Sequence, residues 1–306
     1  MKTSRQRFLL ILVALLVIVA LVAPSVACSQ SAIENAIQAY GKENIQGYMQ
    51  PVADLFGANM NSGYYHSAAI SFVGFHLSLD FVGMVAPVSD DQKTYTVSTP
   101  KGFLPATFQT PTIFGDKGPT VTSVSPAGLT YRGSDGILNA KMFPFAAPQL
   151  TIGSVLGTEA VVRFIAVPQI GDNKFPKTTM WSVGGRHSIS QYIPLVPLDI
   201  AVGVFYSTLK SGDFIDFKGL SYGAQASKTL SVLTVHGGVN IESSTLKLSY
   251  TSTDPVAPGS VEVNLDGKRK FSLTAGLEIA LGVFHLFGNA NFGSINNFTA
   301  GFGFGG

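Results

Sequence analysis

Residues 271–284, FSLTAGLEIALGVF, sort by parity into Phe271, Leu273, Ala275, Leu277, Ile279, Leu281 and Val283 on one side and Ser272, Thr274, Gly276, Glu278, Ala280 and Gly282 on the other. A helix would wind these two sets into each other, whereas a strand sends alternate side chains to opposite faces, so the pattern predicts a strand with one apolar face. Soluble strands usually run about 5–6 residues, and a strand crossing a bilayer at its tilt needs about 9–11. The run exceeds both lengths, which favours the membrane.

The same period of two recurs along the chain. In FHLSLDFVGMVAPV (75–88), Phe75, Leu77, Leu79 and Phe81 oppose His76, Ser78 and Asp80. GTEAVVRFIAV sets Ala160, Val162 and Phe164 against Glu159, Val161 and Arg163, and PLDIAVGVFY sets Leu198, Ile200, Val202, Val204 and Tyr206 against Asp199, Ala201 and Gly203. STLKLSYTS gives Leu246, Leu248 and Tyr250 against Thr245, Lys247 and Ser249, while SVEVNLDGKRKF gives Val261, Val263 and Leu265 against Glu262, Asn264 and Asp266. The C-terminal NFTAGFGFGG alternates Phe298, Ala300, Phe302 and Phe304 with Thr299, Gly301 and Gly303. Polar turn candidates lie between or beside these runs at SGD (211–213), TDPVAPG (253–259) and DGKRK (266–270).

Two regions break the pattern. Residues 31–60 are rich in Ala, Gln, Asn and Glu, and Ile33, Ile37 and Tyr40 recur at helical spacing, which predicts one or two short helices. From Tyr95 to about Ala147, Pro and Gly accumulate and the alternation weakens, which predicts one or two short strands plus a large loop at about 99–147.

Composition sharpens this reading. Only 12% of the 306 residues are charged, too few for the water-facing sides of a soluble sandwich. Beyond the N-terminal stretch no run of 18 apolar residues occurs, so a membrane location requires a closed barrel, in which every backbone group is paired. The expected fold is therefore all-β, a transmembrane antiparallel β-barrel of about 12–14 strands with a short N-terminal helical plug. The last strand should close the ring by pairing with the first. A net charge of +2 offers no basic field, so no nucleic-acid partner is expected.

Lys2, Arg5 and Arg7 precede the apolar stretch Phe8 to Ala23, with Ser25 and Ala27 small, which reads as a signal peptide over residues 1–28. Export to the bacterial outer membrane follows, with outer-membrane lipid as a partner and the barrel-assembly machinery engaged during biogenesis. Cys28, the only cysteine, stands where a lipoprotein site would accept lipid, although Ser25 replaces the usual Leu. An ordinary residue beside the cleavage point is the alternative. The expected divisions are 1–28 signal peptide, 29–62 plug segment and 63–306 barrel.

Candidate chemistry is sparse. None of His66, His76, His187, His236 and His285 lies four residues from a Glu or another His on a helix, and no nucleophile elbow is present. No enzyme activity, cofactor or metal is expected. Glu159 and Arg163 share a strand face that should point inward, and with Asp199, Lys247, Glu262 and Glu278 they are the lumen-facing polar candidates. They form either a polar path or ligand site, or an ion-pair network that rigidifies the barrel.

GGRHSISQYIPLVPLDIAVGVFY, GANMNSGYYHSA and PQLTIGSVLGTEAVVRF resemble an uncharacterised family of exported bacterial barrel proteins of Bacteroidetes-like lineages. In organisation alone, a helical start before a barrel is similar to the FadL-type transporters of long-chain fatty acids and aromatic hydrocarbons. That resemblance implies that residues 31–60 plug the barrel and that an apolar substrate leaves sideways through the wall. The expected function is passive transport of small or hydrophobic molecules, with a hydrophobic small-molecule ligand bound near the 99–147 region. The alternative is a non-conducting structural or assembly barrel that anchors envelope or secretion partners.

Overall fold

A computed structural model describes residues 30–169, 176–252 and 259–305. Residues 1–28, expected to be a signal peptide, and with them Cys28, lie outside the described residues. One helix, α1 (Gln30–Met60), precedes the strands β1 (Val73–Pro87), β2 (Thr94–Ser98), β3 (Thr107–Pro111), β4 (Thr120–Val124), β5 (Ala127–Arg132) and β6 (Met142–Val155). There follow β7 (Thr158–Val167), β8 (Thr178–Ser188), β9 (Asp199–Ser211), β10 (Ile215–Leu230), β11 (Leu233–Ser252), β12 (Gly259–Asp266), β13 (Phe271–Leu281), β14 (Phe284–Gly293) and β15 (Asn297–Gly305). No described helix is long and apolar enough to cross a membrane.

The strands pair in the order β10-β9-β8-β7-β6-β1-β15-β14-β13-β11, and β11 pairs again with β10, which closes an antiparallel barrel of ten strands. The first and last strands meet, Phe81 opposite Phe302. β11 is long enough to hold two neighbours in succession: its residues 233–241 pair with β13 and its residues 245–252 with β12. The ring is smaller than the 12–14 strands expected, for two reasons. Individual strands reach 16 and 20 residues in β10 and β11, and the 99–147 region stays out of the wall until β6 begins.

That irregular region instead folds as two small hairpins, β2–β3 and β4–β5, within the 88–141 insertion. The insertion grips α1 from outside the ring: Asn44 exchanges hydrogen bonds with the Ser98 backbone, and the Tyr48 hydroxyl donates to the Asp135 carbonyl at 2.9 Å. Within it, the Gly118 amide and the Arg132 guanidinium, each 2.7 Å away, hold the Asp135 carboxyl below the usual range, the amide more strongly. α1 is one continuous 31-residue helix rather than one or two short ones. From Pro51 to Met60 it is buried almost throughout.

Inside the ring, the same strand faces change chemistry along their length. At the end with the two-residue turns (156–157, 231–232 and 282–283), the inward residues are polar and the outward ones apolar and exposed, such as Leu277 at 52% and Phe304 at 50%. At the α1 end, the inward residues Met84, Phe143, Phe145, Leu209, Phe217, Leu246, Leu248, Val263 and Leu265 are apolar and buried around the helix. There Lys210, Lys218, Lys247 and Glu262 point outward. Phe56 of α1 sits edge-on to Phe143, Phe145 and Phe217, with ring centroids 6.2, 5.5 and 4.6 Å away. Between the two regimes the outer wall carries Phe164, Trp181 and Tyr206, the last two 5.5 Å apart, as an aromatic girdle does at a membrane interface.

Candidate functional site

The polar half of the lumen is filled by chain. After Met60 the backbone runs on through the ring, and the wall holds it almost residue by residue. Arg163 Nη1 donates to the Ser62 carbonyl at 2.9 Å, Arg186 Nη1 to the Ser67 carbonyl at 2.5 Å, and the Ala68 amide donates to Ser227 Oγ at 2.9 Å. Tyr64 stacks on Phe205 at 4.2 Å, with the Arg163 guanidinium 3.9 Å from its ring centroid. One step earlier, Arg269 pairs with Glu242 at 2.8 Å and donates to the Ala58 carbonyl in the last turn of α1 at 2.7 Å. A cation there suits the negative end of the helix dipole.

At the middle of this thread lies a cluster of imidazoles and carboxylates. His66 Nδ1 is 2.9 Å from Glu278 Oε2, and His66 Nε2 is 3.9 Å from Asp80 Oδ2. His285 Nε2 is 2.8 Å from Asp80 Oδ1, which also accepts from Ser78 Oγ at 2.8 Å. The His66 ring stacks on His285 at 4.9 Å and on Phe287 at 4.7 Å. Asp80 is fully buried. Nearer the turn end, Glu159 pairs with Arg186 and lies 3.3 Å from His76 Nε2.

The six residues singled out from the sequence separate. Glu159, Arg163 and Glu278 project into the lumen, yet Glu159 and Arg163 do not pair: Glu159 takes Arg186, and Arg163 takes Gln149, Ser62 and the Tyr64 ring. Asp199 stands at the rim, where it helps line a cavity of about 460 Å³ with Ile70, Ile193, Leu198 and Lys228. Lys247 and Glu262 are corrected: they bond each other at 2.7 Å on the outer surface, with side chains 41% and 51% exposed. The reason is that α1 fills that end of the ring, so the inward face must be apolar and the polar face is left to solvent.

Sequence reasoning passed over Asp80, Arg186, Glu242 and Arg269 as site residues. The alternation does place Asp80 on the polar face of its strand, so parity was a usable signal there. For Arg269 no such signal exists, since it sits in the turn between β12 and β13 and its role depends on where α1 ends. Among the described residues, a lumenal cavity between Asn61, Tyr65, Ser221 and Asn240 measures about 10 Å³. That is room for about one water.

The chain belongs to the Family of unknown function (DUF6588), whose profile matches residues 1–306. No curated protein matches it. Among solved structures it is similar to a loop-deletion mutant of OmpT, an outer membrane protein of Vibrio cholerae, at 9% identity, covering 76% of this chain and 98% of that one, with a TM-score of 0.27. It is similar to the Ralstonia pickettii toluene transporter TbuX at 9% identity over 78% and 91% of the two chains, with a TM-score of 0.28. A BenF-like porin from Pseudomonas fluorescens Pf-5 is 9% identical over 76% and 97%, with a TM-score of 0.18.

Proposed function

We propose that this member of the DUF6588 family is a bacterial outer-membrane barrel kept closed by its own N-terminal segment, and that it acts as a non-conducting platform for envelope partners. The membrane location is supported by the exposed apolar residues around the turn-end half of the ring. β13 alone turns Phe271, Leu273, Leu277, Ile279 and Leu281 outward. Eleven residues of strand, at about 3.4 Å each and a tilt near 45°, rise roughly 26 Å, the height of the apolar band of such barrels.

The observation that carries closure is the fastening of residues 58–68 to the wall by three buried arginines, Arg163, Arg186 and Arg269, on three separate elements. A segment that moved aside to open a pore would give up these three charge-assisted hydrogen bonds, each contributing about 1.5–3 kcal/mol. What the platform presents is α1 and the 88–141 insertion, both at the end where the outer wall turns polar. The test is single-channel recording of the folded chain in a planar bilayer. Absence of current from wild type, with steps appearing in the Arg163→Ala, Arg186→Ala double variant, supports the reading; steady conductance of wild type overturns it.

Passive uptake of a small hydrophobic molecule is the second reading, favoured by the rim cavity of about 460 Å³, whose apolar residues Ile70, Ile193 and Leu198 face Asp199 and Lys228. Saturable binding of a fluorescent fatty acid, lost on Leu198→Asp, would support it.

A further inference from the structure

We propose that His66, Asp80 and His285 form a binding site for a divalent transition-metal ion, with zinc the best fit, at the centre of the lumen. The ligand atoms of the three residues all lie within 4.8 Å of one another. Donors held about 2.0–2.1 Å from a tetrahedral zinc stand roughly 3.3 Å apart. His285 Nε2 lies 2.8 Å from Asp80 Oδ1 and His66 Nε2 lies 3.9 Å from Oδ2, so each imidazole meets its own oxygen of the one carboxylate. Binding an ion requires the His66 and His285 rings, now stacked 4.9 Å apart, to rotate until both Nε2 lone pairs point at it. Two imidazoles and one carboxylate are a donor set for zinc and its neighbours rather than for magnesium or calcium, which take oxygen almost exclusively.

The surroundings support the same assignment. Glu278 Oε2, 2.9 Å from His66 Nδ1, is positioned to accept the Nδ1 proton when Nε2 binds the ion. A carboxylate on the far nitrogen is the usual orienting partner of a metal-binding histidine. A β-carbon at Gly303 would collide with Asp80 Oδ1 and His285 Nε2, so the absence of a side chain there keeps the space between the donors open. Phe287 lies flat on the His66 ring and closes that side to water.

The donors also come from three places that the fold must hold together: the threaded segment, β1 and β14. An ion bridging them would clasp the thread to the wall, and this holds whether or not the barrel conducts. The spacing of residues 66, 80 and 285 matches no metal motif, which is why the sequence alone shows none.

The experiment uses the whole chain without a histidine tag, folded in detergent, stripped with chelator and titrated with Co²⁺ as a spectroscopic stand-in and then with Zn²⁺. The expected result is one Co²⁺ per chain with the visible absorption of a low-coordinate site, displaced by Zn²⁺, and a rise in Tm with metal concentration. His285→Ala should remove stoichiometric binding. Glu278→Gln, which keeps all three donors, should weaken it about 10- to 100-fold. If His285→Ala does not fold, the wild-type stoichiometry and the Glu278→Gln shift decide the matter. A folded wild type, judged by heat-modifiable gel mobility, that takes up no stoichiometric Co²⁺ overturns the proposal and leaves the cluster as two imidazoles hydrogen-bonded to two carboxylates.

Discussion

Along β1 the inward face passes from Ser78 and Asp80 to Val82, Met84 and Ala86, so one strand lines two unlike interiors. On β11 the same change runs from His236, Asn240 and Glu242 to Leu246 and Leu248. In the turn-end half the interior is a bonded polar network and the exterior is apolar, the arrangement suited to lipid. In the α1 half the interior is a packed apolar core around Phe56 and the exterior carries charge, the arrangement suited to water. The side-chain parity never changes; what changes is which solvent each face meets. The period of a strand reports two faces, and it does not report which one is the inside.

The sharpest way to break the comparison is to hollow the apolar half. Phe56→Ala removes a ring enclosed by three others and should lower stability by about 3–5 kcal/mol in urea titration of the folded chain. In the polar half, Arg269→Met strands Glu242, which is 3% exposed, and should cost about 3–5 kcal/mol, whereas Arg269→Met with Glu242→Leu should recover most of that loss. A double variant as unstable as the single one would show that the network is held by packing rather than charge.

Outward positions sharpen the contrast further. Leu277→Arg places a cation against lipid and should cost about 2–4 kcal/mol in bilayer refolding, because Leu277 lies mid-strand on the apolar half. Lys247→Ala, on the outer face of the other half, removes a solvent-exposed pair with Glu262 and should change stability by about 0–1 kcal/mol. Equal losses at the two sites would mean that both halves are in lipid. The smallest effect belongs to the 88–141 insertion. Since the Asp135 carboxyl is held below its ordinary value, its contribution is present above about pH 3.9 and is lost as the pH falls through the lowered value. Faster exchange of the Gly118 amide in that acid range, with the barrel still folded, is the expected sign.

Much of the wall was legible in the chain. The alternations at 75–81, 159–164, 199–206 and 271–281 each fall on a strand, with the apolar set outward; Leu198 and residues 282–283 lie just outside. The pairing of the last strand with the first follows from closure, and the helical start lies at the expected place. The strand number was not legible, because strand length is set by how far the ring projects beyond the lipid, which no local pattern encodes. The polar candidates divided for the same reason. Glu278 is flanked on its strand by lipid-facing apolar residues and looks inward, while Lys247 alternates with leucines that pack against α1 and looks outward.

The sequence by itself determined the two-faced strands, the low charge that argues for lipid, and the helical segment ahead of the first strand, because these depend on periodicity and composition, which are local. Only the tertiary structure decided which face is interior at each height, where residues 61–68 run, and which distant residues meet: Asp80 with His66 and His285, and Arg269 with the end of α1. Those outcomes depend on how ten strands close around one another, and closure joins positions more than two hundred residues apart.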